Sequence, residues 1–393
     1  MKKKILFVID SLKCGGAEKS LISLLSLLDY SKYEVDLQLS KIEGMFLELL
    51  PKEVNILPEL DFYKFCELSI LSQIKTFNYN YMASKIKLFI MSRLNKNKLH
   101  GAQIFWKNCK NSFEVLDYTY DIAIAYNQGF PTYFVTDKVK ATKKFAWVNT
   151  DYVKAGYKAN IDEKYYDKFD NIVAVSEEAK IILENEFPKF KDKLLVIKDI
   201  NNAELIKKMA EEKEVFKNVD DGITKIVTVG RLVALKGYDL AIDVARLLDK
   251  KGIQFKWYVI GEGPERGNIE ELIEKNGLKD KFILLGEKAN PYPYMKNCDI
   301  YVQTSRFEGF GLAIAEAKIL EKIVITTNFD TAYNQIDNRQ NGIISEMDPV
   351  HICNEIIKVI NDTDILQRIQ SNLTKQKNDN TFEIEKIYKL IEK

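Results

Sequence analysis

The chain has 393 residues, which at roughly 100–200 residues per domain predicts two or three domains. Hydrophobic residues make up 46% of it and charged residues 29%, an ordinary globular balance that excludes intrinsic disorder. The 58 basic and 57 acidic side chains leave a net charge of +1, so no global positive field indicates nucleic-acid binding.

Cysteine and histidine are too few and too scattered for several kinds of site. The five cysteines contain no Cys-x-x-Cys pair, which argues against a disulfide framework or a zinc site and favours a reducing compartment. Two histidines, His100 and His351, leave histidine-based metal sites and Ser-His-Asp hydrolysis nearly impossible to assemble. His351 follows Pro349 near a predicted helix start, and we expect it on the surface.

The N-terminal segment predicts a buried strand. Three lysines precede the apolar run 5–9, which ends at Asp10 and is short for the core of a signal peptide. No stretch of the chain reaches the roughly 18 apolar residues of a membrane-spanning helix. We therefore expect a cytoplasmic protein.

Short apolar runs alternate with helical patterns through two halves of the chain. The first half predicts strands at 5–9, 35–39, 121–126, 144–148, 171–175 and 194–197, and helices at 18–28 and, capped by Ser176, at 177–187. The second half predicts strands at 225–229, 255–260, 281–285, 299–303 and 323–326, and helices at 238–250, 268–276 and 311–320. This alternation predicts an α/β fold of two doubly wound Rossmann-like domains with parallel sheets. Two such domains usually leave an active cleft between them, at the carboxyl ends of their strands. The halves are separated by 201–221, a stretch rich in Glu, Lys and Asn that predicts a linker between domains at 1–200 and 222–379.

The strand at 299–303 runs into a glycine-containing loop and then into a helix. Backbone amides around Phe310–Leu312 form a natural site for phosphate oxygens, which Gly311 allows to approach closely. Glu308 on the loop and Glu316 in the helix can flank one ligand, since a carboxylate accepts two sugar or ribose hydroxyls at once. On spacing alone, an equally good interpretation is that both glutamates merely favour the positive end of the helix.

A second strand-to-loop-to-helix segment spans Gly230–Tyr238. Arg231 and Lys236 lie on its loop, where two cations can neutralise a diphosphate without a metal ion. The plain alternative is solvated charge, because a Lys-Gly pair before a helix is common.

Two further patterns imitate known sites. Gly261–Gly267 resembles a dinucleotide fingerprint, but its spacing is off by one and Glu262 and Glu265 would repel a pyrophosphate. Asp362–Asp364 matches the Asp-x-Asp of metal-dependent transferases, yet it follows a helical segment and is expected to cap the next helix. We therefore predict no metal site and no bound cofactor.

Together the motifs resemble glycosyltransferase family 4, retaining enzymes with the GT-B fold that occur in bacterial polysaccharide and glycan biosynthesis. The order and spacing of these segments carry the resemblance: Gly230-Arg231-Leu232 with Lys236-Gly237, Gly261-Glu-Gly263-Pro264-Glu265, Glu308-x7-Glu316, Gly15-Gly16-Ala17-Glu18 and Val175-Ser176-Glu177. It spans nearly the whole chain except roughly 45–115, and it favours the functional interpretation of both glutamates.

The resemblance implies a role for each matching residue of the second domain. Arg231 and Lys236, beside Gly230, would hold the donor diphosphate. Glu316 would accept hydrogen bonds from the nucleotide ribose, and Glu308 would lie near the ring hydroxyls of the donor sugar.

The same resemblance assigns backbone groups. The amides of Gly311 and Leu312, next to Phe310, would meet the distal phosphate. Gly15 and Gly16 would line the cleft from the first domain, close to the diphosphate or acceptor. Asn149 stands in Trp147–Asp151, where the family usually has a histidine beside the transferred sugar; asparagine can hydrogen-bond there but cannot carry charge.

The resemblance implies an acceptor-binding first domain, against which a C-terminal helix around 380–393 packs, and a nucleotide-sugar-binding second domain. We expect a metal-independent, retaining hexosyltransferase that moves a sugar from a UDP-sugar to a glycan or lipid-linked glycan, in capsule or lipopolysaccharide biosynthesis. One alternative is a non-catalytic partner subunit, which Asn149 favours. The other is a nicotinamide-dependent sugar epimerase or dehydrogenase. The first strand lacks the glycine fingerprint of that class, and Tyr333 is followed four residues later by Asp337 instead of the lysine of a Tyr-x-x-x-Lys pair.

Residues 62–110 carry nine basic side chains against one acid, Glu67, with aromatic and aliphatic residues interleaved. The segment 85–94 predicts a basic amphipathic helix with a broad apolar set. It is either a core helix with a solvated basic edge or a segment that rests on anionic lipid at the inner face of the plasma membrane and brings the cleft to a lipid-linked acceptor.

Overall fold

A computed structural model describes residues 2–13, 15–95, 98–216, 222–376 and 380–392 of the chain. The chain divides into two compact units, one formed by Met1–Asp199 with Phe382–Lys393 and the other by Ile200–Thr381. None of the helices in the described ranges combines the length and the apolar character needed to cross a membrane.

Unit 1 contains a seven-stranded parallel sheet in the order β3-β2-β1-β4-β5-β6-β7. Its strands are β1 (Lys3–Ile9), β2 (Tyr33–Leu39), β3 (Val54–Ile56), β4 (Thr119–Ala125), β5 (Lys140–Val148), β6 (Asn171–Ala174) and β7 (Leu194–Val196). Its first eight helices are α1 (Gly16–Leu27), α2 (Asp61–Glu67), α3 (Ile70–Lys75), α4 (Tyr79–Arg93), α5 (Gly101–Cys109), α6 (Phe130–Lys138), α7 (Ala159–Tyr166) and α8 (Glu177–Glu186).

The core of unit 1 forms where apolar runs place strands between helical layers. Residues 5–9 of β1 are fully buried, as a central parallel strand with both faces covered requires. Trp106 of α5 stacks on Phe113 with ring centroids 5.5 Å apart and donates a hydrogen bond to Asp137, 2.9 Å away. These contacts anchor α5, the last of the helices α2 to α5 inserted between β3 and β4, to the core, to which Phe62 of α2 also belongs.

Unit 2 contains a six-stranded parallel sheet in the order β10-β9-β8-β11-β12-β13. The strands are β8 (Thr224–Val229), β9 (Phe255–Ile260), β10 (Phe282–Leu284), β11 (Ile300–Gln303), β12 (Ile323–Thr327) and β13 (Ile343–Ser345). The helices are α9 (Ala203–Ala210), α10 (Tyr238–Lys250), α11 (Arg266–Lys275), α12 (Tyr292–Asn297), α13 (Leu312–Ile319), α14 (Pro349–Asn361) and α15 (Thr363–Lys375). Short 3-10 helices occur at Met45–Leu49, Lys110–Ser112, Pro188–Lys193, Ala234–Lys236 and Asp330–Asn334.

The last helix, α16 (Glu383–Glu392), packs on unit 1. Its Tyr388 stacks on Tyr33 with centroids 6.0 Å apart and donates a hydrogen bond to the carbonyl of Leu27 at 3.2 Å. Lys3 of β1 donates to the carbonyl of Ile391 at 3.1 Å. Helix α16 therefore belongs to unit 1, although it follows unit 2 in the sequence.

The fold-class prediction is confirmed: both halves are Rossmann-like parallel-sheet domains. Every predicted strand is present, and Ser176 caps α8 by accepting a hydrogen bond from the Ala179 amide at 3.1 Å. Asp362 caps α15, as the capping interpretation required, and His351 is exposed. The short edge strands β3 and β13 were not predicted, whereas β7 and β10, equally short, were.

The predicted linker at 201–221 is corrected in its first half, where the structure has helix α9. Asn202 caps this helix by accepting a hydrogen bond from the Leu205 amide at 3.1 Å, and Ile206 and Met209 are buried. Polar composition hid this apolar stripe. Residues 217–221 of the predicted linker lie outside the described part of the chain, as do residues 377–379 of the predicted second domain.

Candidate functional site

The predicted donor-binding residues of unit 2 follow two adjacent strands, β8 and β11. From these strands the sheet is extended in opposite directions, by β9 and β10 on one side and by β12 and β13 on the other. The strand order therefore reverses between β8 and β11, and such a topological switch point is where open α/β sheets bind their ligands. Both motifs singled out from the sequence lie on these two loops.

An ion pair joins the two loops. Lys236 Nζ lies 2.6 Å from Oε1 and 2.7 Å from Oε2 of Glu308, with the side chains 22% and 10% exposed. The Ser305 hydroxyl and the Gln303 amide also donate to Glu308 Oε1, at 2.6 Å and 3.2 Å. Three donors thus hold one carboxylate in a fixed position at the end of β11.

Backbone contacts clamp the same loops together. The Arg306 amide donates to the Leu235 carbonyl at 2.7 Å, and the Thr304 hydroxyl donates to the Lys236 carbonyl at 3.1 Å. Gly237 adopts φ +64°, and a Cβ atom there would lie 2.1 Å from the Thr304 carbonyl oxygen. Glycine at position 237 therefore allows the two loops to pack this closely. The lysine before it lies at the edge of the sheet where ligands bind.

The Gly261–Gly267 pattern has a packing role at its first two glycines. A Cβ atom on Gly261 would lie 2.1 Å from the Gly230 carbonyl oxygen, and one on Gly263 would lie 2.3 Å from the carbonyl oxygen of Leu232. These glycines allow the β9 loop to press against the β8 loop. This packing role accounts for the two glycines, which spacing and charge had already set apart from a dinucleotide fingerprint.

Helix α13 begins at the tip of the β11 loop. Gly311 caps it with φ +82°, a conformation that favours glycine. The Thr331 hydroxyl donates to the backbone carbonyl of Glu308 at 2.9 Å, and the side-chain amide of Gln335 donates to the backbone carbonyl of Phe310. The first-turn amides of a helix lack intrahelical acceptors and can therefore receive an anion at this fixed loop.

Glu316 lies one turn into α13 and is only 1% exposed. Its Oε1 accepts a hydrogen bond from the Tyr292 hydroxyl at 3.0 Å. A buried carboxylate needs hydrogen-bond donors, and vicinal ribose hydroxyls would supply two.

Arg231 is exposed at the end of β8. Within the described ranges, no carboxylate lies at ion-pair distance from its guanidinium, whereas nearby Arg306 binds Asp239 through two hydrogen bonds of 2.7 and 2.8 Å. That pair lowers the pKa of Asp239. Arg231 is thus the cation of this loop that remains available for a phosphate.

Unit 1 has its own switch point, between β1 and β4. Gly15 precedes α1, where a Cβ atom would lie 2.2 Å from the Glu18 carboxylate, and Gly16 is the first residue of the helix. The hydroxyls of Ser20 in α1 and Tyr126 after β4 lie 3.0 Å apart. Helix α1 is therefore tied to the segment that follows β4.

Asn149 follows β5 beside this switch point. Its Nδ2 donates to the Tyr126 carbonyl at 2.7 Å, and its backbone amide donates to Gln128 Oε1 at 3.1 Å. Its Oδ1 is buried and has no hydrogen-bond partner among the described residues. A buried acceptor of this kind favours an approaching donor such as a hydroxyl.

Two acidic residues near this switch point were missed by sequence reasoning. Burial and the nearby Glu18 carboxylate raise the pKa of Asp10 from 3.8 to about 7, and burial raises the pKa of Asp199 to about 6. Both groups titrate near neutrality, where a carboxyl can give or take a proton. The available signal for Asp10 was its position directly after a fully buried strand.

Asp10 should make stability depend on pH. Its pKa is higher in the folded than in the unfolded chain, so its contribution favours folding below about pH 4 and is lost as the pH rises through about 7. At pH 8 the Asp10 carboxylate must be buried in its charged form, which lowers the free energy of unfolding. Asp10→Asn removes this charge, so we expect the variant to have a higher Tm than the wild type at pH 8. The melting-temperature difference should shrink at pH 5; an equal difference at both values would contradict the raised pKa.

The structure thus groups the predicted residues by unit. Gly230, Arg231, Lys236, Glu308, Phe310, Gly311, Leu312 and Glu316 lie at the switch point of unit 2, and Gly15, Gly16 and Asn149 lie near that of unit 1. Sequence reasoning did not identify Gln303, Ser305, Thr331 and Gln335, which fix the β11 loop. In the described ranges, no group of three or more His, Cys, Asp or Glu side chains is arranged to hold a metal ion.

Residues 209–376 match the family model described as "Glycosyl transferases group 1", in agreement with the glycosyltransferase motifs of unit 2. An uncharacterised glycosyltransferase of Methanocaldococcus jannaschii is 24% identical over an alignment of 289 residues that covers 63% of this chain and 70% of that protein. The capsular polysaccharide biosynthesis glycosyltransferase CapM of Staphylococcus aureus is 29% identical over 233 residues, 56% of this chain and 60% of CapM. Across the first three relatives, the matched part spans 70%, 45% and 60% of their lengths.

Solved structures share the fold over the whole chain. The crystal structure of Anabaena HepE in complex with UDP-glucose superposes with a TM-score of 0.69 at 17% identity, covering 99% of both chains. The likeness extends across both α/β units and shows the fold.

Proposed function

We propose that this chain, whose residues 209–376 form a domain of the glycosyl transferases group 1 family, is a retaining hexosyltransferase. Its donor is a nucleotide-sugar, a UDP-sugar, and its acceptor is a glycan or lipid-linked glycan in surface polysaccharide biosynthesis. The observation that carries the proposal is the ion pair of Lys236 with Glu308 at the switch point of unit 2, beside the start of α13. The similarity to CapM, a capsular polysaccharide biosynthesis glycosyltransferase, supports the pathway. The similarity to HepE, solved in complex with UDP-glucose, supports a uracil nucleotide in the donor.

The charge arrangement suits a departing diphosphate. Arg231 and Lys236 carry two positive charges at the end of β8, and the α13 start adds first-turn amides at Gly311 and Leu312. Groups already fixed in position stabilise charge that develops in the transition state without reorganising. The leaving phosphate can then take the proton of the acceptor hydroxyl as the sugar–oxygen bond forms on the face from which the diphosphate departs.

Glu308 and Glu316 would orient the donor. Glu316, which is buried one turn into α13, accepts hydrogen bonds from the ribose hydroxyls. Glu308 accepts a hydrogen bond from a ring hydroxyl of the donor sugar. Because Lys236 already binds Glu308, the lysine positions that carboxylate as well as carrying its own charge. Donor binding and charge stabilisation are thus coupled through one pair.

In unit 1, Asn149 is the proposed contact to the transferred sugar, and Gly15 and Gly16 are the proposed backbone contacts of the α1 loop. The free Oδ1 acceptor of Asn149 can receive a hydroxyl hydrogen, which a neutral side chain can do as well as a histidine. We place the reaction in the cytoplasm, at the inner face of the plasma membrane.

Transfer should not require a divalent metal ion. The cations at 231 and 236 and the α13 amides offset the charge of the leaving group. The assay combines UDP-sugars with a polysaccharide-precursor acceptor and measures the rate of UDP release. We expect this rate to be the same with and without EDTA, and we expect NMR to show that the product keeps the anomeric configuration of the donor. Activity abolished by EDTA and restored by Mg²⁺ or Mn²⁺ would refute metal independence; UDP binding without any transfer would favour the non-catalytic partner subunit.

A further inference from the structure

Helix α3 has its polarity reversed relative to an ordinary surface helix. Ile70, Leu71 and Ile74 are 72%, 74% and 56% exposed, whereas Gln73 is buried and donates to the Leu68 carbonyl at 2.7 Å. Phe77, in the turn that follows, is 72% exposed and adopts φ +52°, an unusual conformation for a bulky residue. Apolar side chains here face away from the protein.

Helix α4 continues this apolar surface. Tyr81 and Leu88 pack on the core of unit 1, which fixes the inner side of the helix. Tyr79, Ile86 and Ile90 are spaced seven and four residues apart, so they share the opposite side, and they are 76%, 53% and 47% exposed. The helix is therefore apolar on both sides and has no fully buried residue.

Cations surround these exposed apolar groups. Lys75, Lys87 and Arg93 are exposed, and within the part of the chain that the structure describes none of them forms an ion pair with a carboxylate. The Arg93 guanidinium lies 4.1 Å from the centre of the Phe89 ring. No Asp or Glu occurs in the sequence from 68 to 113, and Asp61, which lines a pocket with Thr76 and Asn78, forms its ion pair with Lys64 at 3.0 Å.

We propose that the exposed surface of α3, the turn at 76–78 and α4 docks on an anionic lipid bilayer, with its apolar side chains entering the headgroup boundary. Exposed apolar side chains next to unpaired cations are the combination that binds acidic lipid interfaces. A second copy of the chain fits less well, because a symmetric contact would bring the same unneutralised cations together. The proposal is independent of which donor or acceptor the enzyme uses.

The surface differs from the basic segment expected from the sequence. Lys85 is half-buried and donates to Gln73 Oε1 at 3.0 Å, so it supports the insertion rather than the surface. Lys96 lies outside the described residues. The docking groups are instead Lys75, Lys87 and Arg93 together with the apolar side chains of α3 and α4.

The test is co-sedimentation of the full chain with vesicles, either of phosphatidylcholine alone or with added phosphatidylglycerol. One variant combines Lys75→Glu, Lys87→Glu and Arg93→Glu. Another combines Leu71→Gln, Ile74→Gln and Ile86→Gln. The control combines Lys140→Glu, Lys168→Glu and Lys191→Glu, which change the same charge near β5, α7 and the 3-10 helix at Pro188–Lys193.

We expect wild type and control to bind the anionic vesicles, less so at high salt, and both surface variants to bind at least tenfold less. Melting curves matching the wild type would show that each variant is folded, as substitutions of exposed side chains allow. Retained binding by either surface variant, equal loss in the control, or no binding by the wild type would overturn the proposal. A wild-type dimer that vesicles do not dissociate and that the apolar variant abolishes would assign the surface to a second copy and also overturn it.

Discussion

Replacing Lys236 with alanine should lower kcat/KM by about 10²–10³, the loss found when a fixed group that stabilises transition-state charge is removed. The change deletes one cation at the end of β8 and also releases Glu308, whose carboxylate Lys236 holds through two short contacts. Steady-state rates of UDP release measure the effect. Arg231→Ala should reduce the same quantity, because it removes the other predicted phosphate contact of that loop.

The matched control for Lys236→Ala is Lys250→Ala, at the exposed end of α10 and away from both loops. It removes the same charge from the same unit and should leave kcat/KM unchanged. Full activity in both Lys236→Ala and Arg231→Ala would show that the diphosphate does not bind at β8. A loss of activity in the control would mean that net charge, and not the site, is responsible.

Gly237→Ala should destabilise unit 2 by at least about 3 kcal/mol. About 1–2 kcal/mol comes from placing alanine in the left-handed region at φ +64°. The remainder comes from its Cβ atom, which would lie 2.1 Å from the Thr304 carbonyl oxygen and would force the β8 and β11 loops apart. Thermal or urea unfolding of the purified variant measures the loss.

Gly277→Ala provides the matched comparison. Gly277 has nearly the same backbone conformation, φ +68°, but a Cβ atom there would meet nothing within 4 Å. This variant should lose only the conformational part, about 1–2 kcal/mol. Equal destabilisation in the two variants would show that the loops are not packed through Gly237 as described.

The alternating pattern of strands and helices could be predicted because both sheets are parallel and buried on both faces. Runs such as 5–9 and 255–260 are then nearly continuous in apolar residues, and helices such as α10 show the complementary stripe. The inserted helices were harder. The exposed apolar side of α4 and its core-facing side both carry apolar residues, so periodicity within 85–94 could not indicate which side is buried.

The site could be predicted at the level of loops but not of contacts. Lys236 and Glu308 are 72 residues apart, and only the adjacency of β8 and β11 in the sheet brings them together. Their direct ion pair changes the expected picture, in which the lysine served the diphosphate and the glutamate served the sugar separately. Asp10 was missed because its raised pKa arises from burial, and its position after a buried strand indicates burial of the strand but not of the carboxyl group itself.

A thermal-shift screen of UDP-, GDP-, ADP- and dTDP-sugars, run on the wild type and on Glu316→Gln, tests most directly whether unit 2 binds a nucleotide-sugar at this switch point. A ligand at about 100 times its Kd stabilises the folded state by roughly 2.7 kcal/mol, which is several degrees in a unit of this size. We predict that a UDP-sugar raises the Tm of the wild type and that Glu316→Gln, which weakens the ribose contact, loses most of the shift. If no nucleotide-sugar raises the Tm, or if the shift is equal in both proteins, the proposed donor site is contradicted.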